Sequence, residues 1–155
     1  MVSPINRIRS GALVLKGDKV LLLQRKRGYW YFPGGGIEPG ETVEDCAIRE
    51  TMEETGIRIK LQQLLYAREY RHVSRPGTTL ELIHLARPVG GKLGLGTDPE
   101  EMIQTKSVEW VPLSKLGKMW FLTPELIPVF RRDWRDRFRN NPRYLSLVKM
   151  KLGGW

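Results

Sequence analysis

The segment from Gly34 to Ile57, GGGIEPGETVEDCAIRETMEETGI, constrains the fold more than any other part of the chain. Pro33 to Gly36 predicts a break that stops regular structure, because proline and consecutive glycines interrupt helices and strands. Glu38-Pro39-Gly40 predicts a turn, since proline fixes φ and glycine accepts positive φ. We therefore expect an irregular glycine-rich loop at the start of this segment.

A single helix is predicted to follow that loop. Thr42 suits the N-cap, and Asp45, three residues later, makes a short-armed version of the capping box. The helical pattern continues to Thr55, and Gly56 is a typical residue just after a helix ends.

The predicted helix has two faces of different character. At 100° per residue, one face is expected to pack on a sheet; it carries Ala47, Ile48, Thr51, Met52 and Thr55. A second face carries Glu50, Glu53 and Glu54, with Arg49 and Cys46 beside them. Like charges three and four residues apart on a helix repel one another. A divalent cation is the first candidate for what holds them together.

Composition limits the kind of cation and the class of protein. One cysteine, Cys46, and two histidines, His72 and His84, are too few for a structural zinc site, so a metal, if one binds, is expected to be a hard cation with oxygen ligands. We interpret all three as packed residues or ordinary strand residues. The lone cysteine suits a reducing cytoplasm, and no apolar run approaches a membrane span. At 155 residues, the chain is expected to form one domain over residues 1–155.

Alternating strands with an early and a late helix predict a sheet covered by helices. The predicted strands are residues 7–27, broken as a hairpin at 16–19, then 29–32, 57–73, 79–89 and 107–113. Residues 90–101 are expected to form a surface loop. Pro124 is expected to open a last helix within residues 123–138, and the chain beyond Arg131 is strongly basic.

The acidic helix and its loop resemble the Nudix box, which is Gly, five residues, Glu, seven residues, then Arg-Glu-U-x-Glu-Glu-x-Gly-U with U usually aliphatic. Seven fixed identities match, at Gly35, Glu41, Arg49, Glu50, Glu53, Glu54 and Gly56. Thr51 departs from the pattern at the first aliphatic position. Residues 30–35 and 108–113 are similar to a lead-in and a late strand of the same family.

This resemblance to MutT-like Nudix hydrolases implies an α/β/α sandwich with a mixed β-sheet between helices. It implies an enzyme that uses Mg²⁺ or Mn²⁺ to cleave a nucleoside diphosphate linked to another group, through attack of water on phosphorus. The implied metal ligands are Glu50, Glu53, Glu54 and the carbonyl of Gly35. Arg49 and Glu41 are implied as a pair that orients the acids. Glu53 is the first candidate for activating water, and Glu54 is the alternative.

Other residues are weaker candidates for contact with the substrate or the metal. Some family members carry a further acid outside the box, for which Glu100, Glu101 and Glu109 are candidates; for each, an ordinary surface acid is an equal alternative. A base or phosphates could be held by Arg25, Arg27, Tyr31 and Tyr70, which could equally be packed or surface residues.

The substrate stays open at this point. A proline or tyrosine at set distances after the box marks some subgroups of the family, and neither mark fits here. A nucleoside triphosphate is favoured slightly over ADP-ribose or a nucleotide sugar. The net charge of +9 and the basic, aromatic C-terminal tail keep RNA binding or cap removal as an alternative. A homodimer is also compatible with the sequence.

Overall fold

The computed structural model describes residues 6–71 and 76–146. The strands are β1 Arg7–Lys16, β2 Lys19–Arg25, β3 Trp30–Tyr31, β4 Gly34–Gly36, β5 Ile57–Arg71, β6 Thr78–Gly91, β7 Thr105–Pro112 and β8 Arg143–Leu145. The helices are α1 Val43–Thr55, α2 Pro99–Gln104 and α3 Leu126–Arg135, with a 3-10 helix at Leu113–Lys118.

The strands of the described residues form one mixed, hydrogen-bonded sheet. Its order is β3-β2-β1-β6-β5-β8, with β4 joined to β1 and β7 joined to β2. The β1–β6 and β5–β8 pairs are parallel, and the other pairs are antiparallel. The predicted hairpin is confirmed, since Lys16 pairs with Lys19 across a two-residue turn.

Helices cover both faces of this sheet, because alternate residues of a strand point to opposite faces. Leu13 of β1 belongs to a buried cluster with Leu126 and Phe130 of α3. Ser10, on the other face of β1, donates from its hydroxyl to the carbonyl of Val43 in α1. The predicted sandwich of a mixed sheet between helices is therefore confirmed.

Helix α1 begins and ends where the sequence predicts. The Thr42 hydroxyl accepts from the Asp45 backbone N–H at 3.1 Å and donates to the Asp45 carboxylate at 2.7 Å. Gly56 ends the helix with φ of 72° and donates its N–H to the Met52 carbonyl. Asp45 thus bonds the Thr42 hydroxyl, where a capping box would have it bond the backbone N–H.

The predicted core face of α1 is partly wrong. Ile48 and Met52 are 40% and 44% exposed, while Cys46 and Glu54 are buried. The helix is turned so that its smaller side chains meet the glycine segment, where the Cys46 thiol lies 3.6 and 3.5 Å from the carbonyl oxygens of Gly35 and Gly36. The thiol can come this close because Gly35 and Gly36 have no side chains.

The prediction that Pro33 to Gly36 lacks regular structure is also wrong. Gly34–Gly36 forms β4 and pairs antiparallel with Arg9, Ser10 and Gly11. A side chain at Gly11 would collide with the Pro33 carbonyl oxygen, 2.7 Å from the position of its Cβ. The missing side chain of Gly11 therefore lets β4 lie against β1.

Several elements differ from the sequence prediction. Part of the predicted loop at residues 90–101 belongs to β6, and another part begins α2. The last helix covers Leu126–Arg135, within the predicted range 123–138. Strand β8 was not predicted; it pairs with residues 66–68 of β5. The prediction for His72 falls outside the described residues, whereas His84 is buried in β6.

Buried Asp133 of α3 ties the C-terminal segment to the sheet. Its carboxylate accepts hydrogen bonds from Tyr66, Asn141 and Arg143. Burial on its own would raise the pKa of Asp133, but these hydrogen bonds outweigh burial and lower it.

None of the described helices is long and apolar enough to cross a bilayer.

Candidate active site

Arg49 gathers the carboxylates of the Nudix-like segment around one guanidinium. Its Nε and Nη2 donate to the two oxygens of Glu41 at 2.7 and 2.9 Å. Its Nη1 donates to Glu50 at 3.0 Å and to Glu53 at 3.1 Å. Because Glu50 and Glu53 share one nitrogen, a single positive charge offsets their mutual repulsion.

The structure brings Arg49 and Glu41 together as a two-point ion pair. The hydrogen bonds from Arg49, followed by one from the Glu38 backbone N–H, lower the pKa of Glu41 to about 2. The same Glu41 contact raises the pKa of Arg49, so both groups stay charged in neutral solution. The guanidinium is held between the turn at Glu38 and helix α1.

The Glu50 carboxylate lies against the backbone of Gly35. A Cβ built on Gly35 would overlap that carboxylate. Burial raises the pKa of Glu50, with the Arg49 hydrogen bond opposing this shift. Glu50 is therefore a desolvated carboxylate, which a cation would stabilise in its charged form.

Glu54 and Glu53 differ in their access to solvent. Glu54 is 5% exposed, and one of its oxygens accepts from the Gly34 backbone N–H at 3.2 Å. The Glu53 side chain is 41% exposed. The three glutamates predicted as one acidic face thus lie at three depths, with Glu53 outermost.

The donor chemistry of this region fits a divalent cation. Carboxylate and carbonyl oxygens are the ligands that Mg²⁺ and similar ions take; Glu50, Glu53, Glu54 and Gly35 supply only such atoms. Over residues 6–71 and 76–146, no three acidic, histidine or cysteine side chains already form an ion-sized cluster. Instead, Arg49 bonds Glu50 and Glu53, and the Gly34 N–H bonds Glu54.

A cleft of about 540 Å³ opens beside these acids. One end is lined by Glu50, Glu54 and the glycines of β4, and another part by aromatic side chains. Its arginines are Arg7, Arg9, Arg25 and Arg68, and its aromatic residues are Tyr29, Tyr31, Phe32 and Tyr70. Acidic, cationic and aromatic surfaces therefore meet in one cavity of a size typical for small-molecule sites.

Three of the six residues predicted to contact substrate line this cleft, namely Arg25, Tyr31 and Tyr70. The Arg25 guanidinium lies 4.7 Å from the centre of the Tyr31 ring, and Tyr31 and Arg25 both contact the Thr105 hydroxyl.

Of the other three predicted residues, Arg27 and Glu109 are not among the described residues that line it. Arg27 is exposed, and Glu109 is exposed and accepts from Ser107 at 2.8 Å. Glu101 belongs to α2, and its side chain lies outside the described part of the structure. Glu100, the alternative to Glu101, is exposed in α2.

Sequence reasoning missed Arg7, Arg9, Arg68 and Glu81. Arg7 and Arg9 alternate on β1, and Arg68 and Tyr70 alternate on β5, so each pair shares one face of its strand. That alternation of polar residues in otherwise apolar strands was the available signal. Their convergence depends on β6 lying between the two strands, which no local pattern indicates.

Comparison with known proteins agrees with this geometry. The family model described as NUDIX domain matches residues 6–133. The chain belongs to the Nudix hydrolase family. It is an enzyme of that class, and Nudix hydrolases generally use divalent metal ions.

Relatives of this Nudix hydrolase carry different activities in their names. An ADP-ribose pyrophosphatase of Methanocaldococcus jannaschii is 31% identical over 128 residues, which cover 80% of this chain and 72% of that protein. An 8-oxo-dGDP phosphatase of Homo sapiens is 36% identical over 103 residues, covering 64% of this chain but only 30% of the human protein.

A solved structure supports the fold of the Nudix hydrolase described here. A NUDIX hydrolase from Nitrosomonas europaea superimposes with a TM-score of 0.72 and 22% identity, covering 96% of this chain and 81% of that one. At this identity, the likeness concerns the fold alone.

Proposed function

We propose that this Nudix hydrolase uses Mg²⁺ or Mn²⁺ to hydrolyse the diphosphate of a nucleoside diphosphate linked to another group. The observation that carries the proposal is the cleft in which Glu50 and Glu54 lie beside four arginines and four aromatic residues. A diphosphate needs cations on its oxygens, and a nucleobase gains from aromatic contact.

The residues proposed to hold the metal are Glu50, Glu53, Glu54 and the carbonyl of Gly35. When bound, such a cation neutralises charge that develops on the phosphate oxygens and orients them. Arg49, itself held by Glu41, would position Glu50 and Glu53, which it already contacts at 3.0 and 3.1 Å.

Glu53 is proposed to activate the attacking water. Its carboxylate is the most exposed of the three, which leaves an oxygen accessible to solvent. The water oxygen bonds to phosphorus while the bridging P–O bond breaks, the departing phosphate keeps the bridging oxygen and the electron pair of that bond, and the Glu53 carboxylate takes the proton from water. Glu54 is the less suitable base because it is buried and already accepts a hydrogen bond from the Gly34 N–H.

The aromatic part of the cleft is proposed to hold the nucleoside. Tyr29 and Tyr31 line it with their ring centres 6.4 Å apart, and the Arg25 guanidinium lies over the Tyr31 ring. A flat base packed on such rings is held with little dependence on its identity. The nucleobase preference therefore stays open in this proposal.

The test is a screen of the purified protein with Mg²⁺ and, separately, with Mn²⁺. Nucleoside diphosphates and triphosphates, ADP-ribose, nucleotide sugars, dinucleoside polyphosphates and capped RNA would be offered, with phosphatase added where products require it. We expect metal-dependent release of a nucleoside monophosphate from at least one substrate, and its loss in Glu53→Gln. Turnover equal to wild type in that variant would contradict the role of Glu53. Absence of hydrolysis of every substrate in the screen would contradict the proposal.

RNA binding by the basic tail, a homodimer and a cytoplasmic location stay predictions. In the described part of the tail, Phe138 is buried against Phe130, with ring centres 6.1 Å apart, and Arg143 is bound by Asp133. Trp134 and Tyr144 keep exposed rings. Capped RNA in the screen tests this alternative directly.

A further inference from the structure

A cationic group on the floor of the cleft is built by three neighbouring strands. In the sheet register, Arg9 of β1 lies opposite Glu81 of β6, and Glu81 lies opposite Arg68 of β5. The row therefore runs Arg9–Glu81–Arg68 across the sheet. All three side chains line the same cleft as Glu50 and Glu54.

Glu81 holds both arginines in place. Its two carboxylate oxygens contact the Arg9 Nε at 3.6 Å and the Arg68 Nη2 in a close ion pair. One negative charge thus meets two positive charges, so the row retains a net positive charge. Arg9 also donates to the Gly34 carbonyl at 3.2 Å, which fixes it beside the acidic end of the cleft.

Arg68 has an unused donor, although it is almost completely buried. The residue is 5% exposed, and its Nε has no hydrogen-bond partner among the described residues. A buried guanidinium N–H without a partner is costly, since a lost hydrogen bond to a charged group destabilises the protein. Because the Nε is itself enclosed by protein, a ligand in the cleft gains from the positive charge of Arg68, which Glu81 shares with Arg9 and so does not fully offset.

We propose that Arg9 and Arg68, joined by Glu81, form a subsite for the terminal phosphate of the substrate. This inference rests on the proposed function, and it adds that the enzyme prefers nucleotides that end in a phosphate over those that end in a sugar. A phosphate oxygen accepts from two guanidinium groups more strongly than a sugar hydroxyl does, because its bonds are charge-assisted. Arg9 and Arg68 are thus specificity-determining residues.

The first experiment measures binding without turnover. Inorganic pyrophosphate is titrated calorimetrically into wild type, Arg9→Gln, Arg68→Lys and Arg87→Gln in metal-free buffer with EDTA at constant ionic strength. Arg87 is the matched control, because it is an exposed arginine of β6 outside the cleft. We expect Kd to rise roughly 10- to 100-fold in Arg9→Gln, the range for losing a charged hydrogen bond. Arg87→Gln should match wild type.

The conservative variant separates charge from geometry. Arg68→Lys keeps the positive charge but loses the planar guanidinium, which can bond a phosphate at two points, so we expect about a tenfold weaker Kd. If Arg68→Lys does not fold, the test rests on the Arg9→Gln variant, since Arg9 is partly exposed. Equal affinity of Arg9→Gln and Arg87→Gln, or no pyrophosphate binding by folded wild type, overturns the subsite.

A second experiment compares kcat/KM for a nucleoside triphosphate and for ADP-ribose. Wild type should favour the triphosphate, and Arg9→Gln should reduce that ratio at least tenfold, mainly through KM. A wild-type preference for ADP-ribose overturns the subsite while leaving pyrophosphohydrolase activity intact. Loss of pyrophosphate binding in Arg9→Gln without hydrolysis of any substrate supports the subsite and contradicts the proposed function instead.

Discussion

The Glu50 carboxylate fills the space that a side chain on Gly35 would occupy. A glycine is thus required at position 35 for a steric reason, which the sequence pattern alone does not reveal. With any larger residue at this position, Glu50 must leave the backbone of β4, and the acids must rearrange around Arg49.

Gly35→Ala should therefore disable the site more than it unfolds the protein. We expect kcat to fall at least tenfold, because the displaced Glu50 no longer lies where a metal ligand is proposed. Steady-state kinetics with increasing Mg²⁺ would measure this loss. Gly94→Ala is the control, since no atom lies within 4 Å of a Cβ at that position. Wild-type kinetics in Gly35→Ala would contradict the steric argument.

Glu53→Gln should abolish most turnover while the fold is retained. The amide cannot accept the proton from water, and loss of a general base costs about 10²- to 10⁴-fold in rate. The measurement is kcat on the best substrate of the screen, together with a thermal melt. Glu44→Gln changes an exposed acid in the first turn of the same helix and should leave both quantities unchanged.

Mg²⁺ or Mn²⁺ should raise the melting temperature of the wild type. An ion that binds only the folded state stabilises it by mass action, by about 2.7 kcal/mol at 100 times its Kd. Differential scanning fluorimetry across a metal titration would measure the shift. The double variant Glu50→Gln/Glu54→Gln should show no shift, and an equal shift in that variant would place the ion elsewhere.

Asp133 should make the fold sensitive to acid. Its pKa is lower in the folded state than its ordinary value, so its contribution to stability is present above about pH 4 and is lost as pH falls below that. Asp133→Asn should lower the free energy of unfolding by about 3 kcal/mol at neutral pH, because Arg143 and Tyr66 lose their charged partner.

Urea denaturation at pH 7 and at pH 3 would measure both effects of Asp133. The difference between wild type and Asp133→Asn should shrink at the lower pH. Asp136→Asn, an exposed acid just after α3, is the matched control. A difference that stays constant with pH would contradict the linkage.

Local signals account for what the sequence predicted well. Thr42 and Gly56 fix the ends of α1 because capping involves only neighbouring residues. The Arg49–Glu41 pair was implied by the motif, whose spacing spans a single turn and helix. The buried face of α1 was harder to predict, because helical periodicity shows which residues share a face but does not show which face packs on the sheet. Ile48 and Met52 were misplaced for that reason.

The floor of the cleft could not be predicted, because its parts meet only through sheet register. Arg9 and Glu81 lie far apart in sequence and are brought together by the parallel pairing of β1 with β6. Arg68 reaches Glu81 through a β5–β6 pair that contains register shifts. A shift by one residue would turn these side chains to the other face, and no local pattern fixes such a register.

Gly34 links two charged residues of the cleft, Glu54 and Arg9, through its own backbone. Its N–H bonds Glu54 at the acidic end, and its carbonyl bonds Arg9 of the cationic row. One residue spans only about 3.8 Å between successive Cα atoms. The backbone donor and acceptor that these two side chains bond are therefore held a fixed distance apart by the pairing of β4 with β1. If the cleft holds a phosphate chain as proposed, a shift of Gly34 would displace Glu54, a proposed metal ligand, and Arg9, a proposed phosphate-binding residue, together.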